Sequence, residues 1–110
     1  MEQYTARVGR HVSTAGGISN SFINAKEVGC NTMQIFISSP RMWSVAPIDA
    51  RQLDLFRRNS ENYGIRPVFV HMPYLPNPAS PEGIMHKKSV DTLVKISKMC
   101  DDIGIGYVIT

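Results

Sequence analysis

A chain of 110 residues that is 43% hydrophobic and 19% charged, with a formal net charge of +3, has the composition of an ordinary soluble globular domain. That composition excludes a disordered, collagen-like or disulfide-stapled chain, and the length allows one core that buries roughly two thirds of the unfolded surface. Arg and Lys occur singly or in pairs (Arg57-Arg58, Lys87-Lys88) with no basic tail, so charge alone gives weak support for a polyanionic partner.

In chain order, ARVGRHVS (Ala6 to Ser13) predicts a short strand, followed by the loop TAGG. Ser19 is placed to cap a helix through Val28, with Phe22, Ala25 and Val28 on one face and Gly29 ending it. TMQIFIS (Thr32 to Ser38) is β-branched and aromatic and predicts the second strand. The segment SPRMWSVAPI then reads as a loop. Asp49, three residues before Gln52, looks like a capping box for a helix running to Tyr63 and stopped by Gly64. RPVFVH predicts the third strand. Ser80-Pro81-Glu82 is a helix-start signature with Pro81 at the first helical position. That helix runs to Ile103 with Leu93, Ile96, Cys100 and Ile103 as its apolar stripe, and after Gly104 the stretch GYVIT starts a fourth strand.

Strand alternating with helix implies an α/β chain of parallel strands joined by right-handed crossovers. The pattern permits a small open sheet or a portion of a (β/α)8 barrel. Three and a half units in 110 residues match the spacing of a barrel of about 250 residues, and the abrupt stop after the fourth strand is expected to favour the second closure. Residues 1–110 are expected to form a single partial domain with no internal boundary. Cys30 and Cys100 form no CxxC pair and read as buried or partly buried reduced thiols. The opening MEQYTARVGR lacks the apolar stretch of a signal peptide, and no run approaches about eighteen apolar residues. The sequence therefore predicts a cytoplasmic protein without a membrane span.

In parallel architectures, functional groups gather at the carboxyl ends of the strands. Here those ends carry His11 to Thr14, Ser38 to Trp43, and His71 to Asn77. His71 follows VFV directly; it reads equally as a boundary histidine and as a metal ligand, and one imidazole specifies no metal, since a zinc site needs three or four ligands. His11 alternates within its strand and points either into the barrel or out to a helix; the structural role is the commoner one. His86, beside Lys87 and Lys88, reads as a solvated surface residue, and Asp101-Asp102 as exposed charge. Arg41 is placed to contact phosphate or enter a minor groove; Trp43, taken alone, reads as cover for the apolar base of its own loop. Tyr74 and Leu75 lie between Pro73 and Pro76, and proline lowers the entropy cost of holding a loop in one shape. This suits a wedge that unstacks bases at a cost of a few kcal/mol, or simply a rigid connection. There is no P-loop, no G-x-G-x-x-G and no Ser-His-Asp spacing.

Three stretches together resemble one family. GRHVSTAGG resembles the G-x-H-V-S-x-x-G-G opening of endonuclease IV; QIFISSPRMW resembles its second unit, where Arg-x-Trp follows the strand; HMPYLPN resembles its H-x-x-Y-L-x-N signature. The three come in the family's order and span nearly the whole chain.

The resemblance implies a DNA-repair enzyme on a (β/α)8 barrel with a trinuclear zinc site, acting on double-stranded DNA and hydrolysing the phosphodiester 5′ to an abasic site. It implies that His71 is a zinc ligand, and that Arg41, Tyr74 and Leu75 enter the minor groove and fill the gap left by the missing base; His11 remains a second-shell or structural candidate. Met72, Pro73, Pro76 and Pro78 depart from the family's usual residues at their positions. The other ligands are expected on later strands, so the chain reads as the amino-terminal portion of a monomeric enzyme. It is expected to be inactive alone and to self-associate through open sheet edges. A metal-dependent sugar isomerase or epimerase on the same barrel, and a non-catalytic α/β interaction module, are the alternatives.

Overall fold

The computed structural model describes residues 6–39, 43 and 45–110. Its strands are β1 (Gly9–His11), β2 (Thr32–Ile35), β3 (Val68–His71) and β4 (Tyr107–Ile109); its helices are α1 (Ser21–Glu27), entered through a 3-10 turn at Ile18–Asn20, α2 (Ala50–Tyr63) and α3 (Gly83–Ile103). All four strands are parallel and lie in the order β1-β2-β3-β4. Each strand therefore sits beside the one that precedes it in sequence. A doubly wound sheet reverses its strand order at a switch point; this one does not, and α1 packs on α2 and α2 on α3. The architecture is an arc of a (β/α)8 barrel.

The register, with Gly9 opposite Thr32, Met33 opposite Val68 and Phe69 opposite Tyr107, sorts the strand residues by parity. Met33, Ile35, Val68 and Val70 turn toward the helices and are buried with Phe22, Ala25, Phe56, Ile96, Cys100 and Ile103. Phe22 and Phe56, from α1 and α2, meet edge to face with centroids 4.8 Å apart. Gly9 is required where β1 crosses β2: a Cβ there would lie 1.8 Å from the carbonyl oxygen of Thr32.

Local signals at the helix ends are partly used. The Asp49 carboxylate accepts from the Gln52 backbone N–H at 2.8 Å, so half of the capping box forms. The Gln52 side chain does not return to close it. Its Oε1 instead accepts from the backbone N–H and the hydroxyl of Ser19, at 3.2 and 2.9 Å. Ser19 consequently does not cap α1; it lies inside the 3-10 turn, buried against α2. Val28 lies beyond the end of α1 and is 55% exposed, off the predicted stripe. α3 begins at Gly83, two residues after Pro81, because the Ser80 hydroxyl holds the Glu82 N–H in a turn. Gly64 and Gly104 end α2 and α3 with φ of +65° and +80°, as the sequence predicts. No helix among the described residues is long and apolar enough to cross a membrane.

Candidate active site

On the sheet face away from the helices, register brings together Gly9 and His11, Thr32 and Gln34, Phe69 and His71, and Tyr107 and Ile109. Phe36, directly after β2, shares the parity of Gln34 and joins them. The upper part of this face forms a continuous row. The Phe36 ring lies 4.4 Å from His11 and 5.4 Å from His71, centroid to centroid, and Tyr74 stands 5.5 Å from Phe36 and 6.4 Å from His71.

His71 is the last residue of β3 and half-buried. Its Nδ1 lies 2.5 Å from the backbone carbonyl of Met72. A carbonyl can only accept, so Nδ1 carries the proton and Nε2 keeps its lone pair. That is the tautomer a metal-ligating or proton-accepting imidazole needs, held by an outer acceptor. Met72 is itself fixed, buried on the helix side and donating its N–H to Ile109 O at 2.8 Å.

His11 points into the same face, which settles the alternative left open by its strand. Its Nδ1 is 3.0 Å from Gln34 Nε2. Desolvation by burial, and then the nearby charge of His71, hold the His11 imidazole below its ordinary value of 6.5. Beside it a groove of about 500 Å³ opens between the ends of β1 and β2, bordered by His11, Ser13, Thr14, Phe36 and Ser38. The Ser38 hydroxyl is buried without a hydrogen-bond partner among the described residues.

Tyr74 and Leu75 follow His71 and project from the rim, 67% and 43% exposed. Pro73 before them is buried. Arg41 lies outside the described residues. Trp43 is half-buried, and Lys88 from α3 lies over its indole at 5.2 Å, a partner that the reading of the indole as cover for its own loop does not include. His86 is exposed as predicted, yet its Nδ1 is 2.9 Å from Pro78 O. Asp101 and Asp102 are exposed at the end of α3. Phe36 and Gln34, which space and orient the two imidazoles, escaped the sequence reading. The signal was present in their parity with His11 and His71, but it becomes legible only once the strand register is known.

Zinc fits this site in part. His71 offers a ring whose Nδ1 is engaged by the Met72 carbonyl and whose Nε2 has no hydrogen-bond partner among the described residues, but among those residues no three His, Cys, Asp or Glu side chains cluster to complete a coordination sphere.

Residues 22–110 match the family model described as xylose isomerase-like TIM barrel. The chain belongs to that family. Within it, the chain is similar to the probable endonuclease 4 of Methanoculleus marisnigri, 45% identical over 103 residues, which cover 94% of this chain and 36% of that protein. A second such relative, from Cenarchaeum symbiosum, is 43% identical and matched over 94% of this chain and 38% of its own length. The crystal structure of endonuclease IV from Thermus thermophilus superposes with a TM-score of 0.87 at 32% identity, covering 94% of this chain and 39% of that one. The endonuclease IV resemblance of the three sequence motifs is thus matched in overall sequence and in fold. The chain spans little more than a third of the length of these relatives.

Proposed function

We propose that this chain is part of a DNA-repair endonuclease of the endonuclease IV type, one that hydrolyses the phosphodiester 5′ to an abasic site in duplex DNA. The observation that carries the reading is the juxtaposition at the rim: an imidazole at the end of β3 whose Nε2 has no hydrogen-bond partner among the described residues, and three residues on an exposed Tyr74-Leu75 pair. In this reading His71 is a metal ligand, and Arg41, Tyr74 and Leu75 meet the DNA. Tyr74 and Leu75 fill the space of the missing base, and Arg41 enters the minor groove. Zinc, when bound, supplies a hydroxide nucleophile at neutral pH and offsets charge on the phosphorus and leaving oxygens. The complete enzyme is expected to be cytoplasmic and monomeric and to hold three zinc ions. The 110-residue chain supplies one fitted ligand and is expected to incise nothing alone. With β1 and β4 each paired on one side only among the described residues, it is expected to self-associate.

The test joins this chain to the remaining barrel units of the Methanoculleus marisnigri relative and assays zinc-dependent incision of an abasic duplex. Incision that is lost in His71→Ala and weakened in Tyr74→Ala supports the reading; a folded, zinc-loaded chimera that leaves the duplex intact refutes it. The family description also favours a second reading, a metal-dependent sugar isomerase. It is distinguished by ketose formation from an aldose and by indifference to Tyr74→Ala.

A further inference from the structure

The loop between β3 and α3 is fastened at both ends. At its start, Met72 N–H donates to Ile109 O and His71 Nδ1–H to Met72 O. At its far end, the Asn77 backbone N–H donates to the Ser89 hydroxyl at 2.7 Å, and that hydroxyl donates to Met85 O at 2.7 Å. Ser89 lies in α3 and is 0% exposed. Donation to the preceding turn alone would satisfy a buried helix serine; accepting the Asn77 amide reaches outside the helix. One turn earlier, His86 Nδ1 is 2.9 Å from Pro78 O, and since a carbonyl only accepts, the ring donates. Between the two fastenings stand Tyr74 and Leu75, for which no hydrogen bond is found among the described residues.

We propose that Ser89 and His86 are positioning residues that clamp the Tyr74-Leu75 finger to α3, so that discrimination of a gap in duplex DNA depends on a helix that does not touch it. This rests on the DNA-repair reading above. With the clamps in place the finger meets the gap already ordered. Without them, its ordering is charged against binding to gapped DNA, while contacts to the phosphate backbone are untouched.

The experiment measures affinity of the completed barrel, this chain joined to the remaining units as above, for a duplex with a tetrahydrofuran abasic analogue and for the intact duplex, by fluorescence anisotropy, with Asn77 amide exchange followed by NMR. Ser89→Ala and His86→Ala should each lower the abasic-over-intact preference about fivefold, the scale of one lost hydrogen bond. They should speed Asn77 exchange and leave intact-duplex affinity unchanged, and His86→Asn, which retains a donor, should restore most of the preference. If Tyr74→Ala abolishes the preference while Ser89→Ala and His86→Ala keep it, the clamp is refuted and the repair reading stands. If the folded, unsubstituted chimera shows no preference, the repair reading falls and the clamp with it. Should Ser89→Ala unfold, the exposed His86 pair decides alone.

Discussion

Phe36 stands edge-on to His71, their rings 5.4 Å apart at 71°, while its other side abuts His11. The benzyl group is therefore the spacer that sets the separation of the two imidazoles. Removing it in Phe36→Ala deletes three aromatic contacts, to His11, His71 and Tyr74, each worth about 0.5–1.5 kcal/mol beyond the area it buries. The urea midpoint should fall accordingly, and the ring signals of both histidines should broaden in NMR spectra. Sharp, unshifted signals from both rings would contradict the spacer role.

Acid should weaken the fold through His11. Its imidazole is held below 6.5 when folded, mainly by burial, so the unfolded chain takes up the proton first as pH falls. The stability conferred by the neutral folded ring is present above pH 6.5 and is lost as pH drops through that value toward the lower folded one. His11→Gln should flatten this part of the acid slope, read from urea midpoints at about pH 7.5 and about pH 5. A variant that follows the unsubstituted chain at both pH values would show that His11 does not contribute.

Alkali should act through Cys100. Burial pushes its thiol from 9.0 up to about 11, so the unfolded chain ionises first. Stability is then present below pH 9.0 and declines between there and about 11 as the unfolded thiol gives up its proton. The same burial predicts that Cys100 resists iodoacetamide in the native chain and reacts on unfolding, whereas half-buried Cys30 is modified first. Mass spectrometry of the two peptides after brief alkylation decides the order.

The two members of the half-formed capping box should separate in experiment. Asp49→Ala removes a helix cap, at a cost of ~1 kcal/mol. Gln52→Leu should cost more, about 1–3 kcal/mol, because it strands the buried N–H and hydroxyl of Ser19 without an acceptor. Equal losses in thermal melts would mean that the Gln52 link to the 3-10 turn contributes little.

That contrast also shows where sequence reading stops. β2 and β3 are legible because consecutive β-branched and aromatic residues support nothing else, and Gly64 and Gly104 mark helix ends because both sit at positive φ. The Ser19 cap and the full box at Asp49 are misread for a single reason. Gln52 bonds Ser19 across 33 positions of sequence, and local patterns carry no record of such a partner. At the site, His71 and the Tyr74-Leu75 loop are legible because a strand end and clustered prolines announce them. His11 is ambiguous until register fixes its side, and Phe36 looks like one more strand residue. The tie from His86 to Pro78 is hidden because an exposed histidine beside two lysines gives no sign of a carbonyl eight residues behind it.

The strand order has a consequence for how the molecule comes into being. Paired strand residues are separated by intervals from Gly9–Thr32 to Phe69–Tyr107, and every pairing joins a strand to the one translated just before it. A nascent polypeptide leaving the ribosome therefore never waits for a distant partner. Each newly emerged segment finds its docking ledge already laid down, and the cylinder wall can be built course by course in the direction of synthesis.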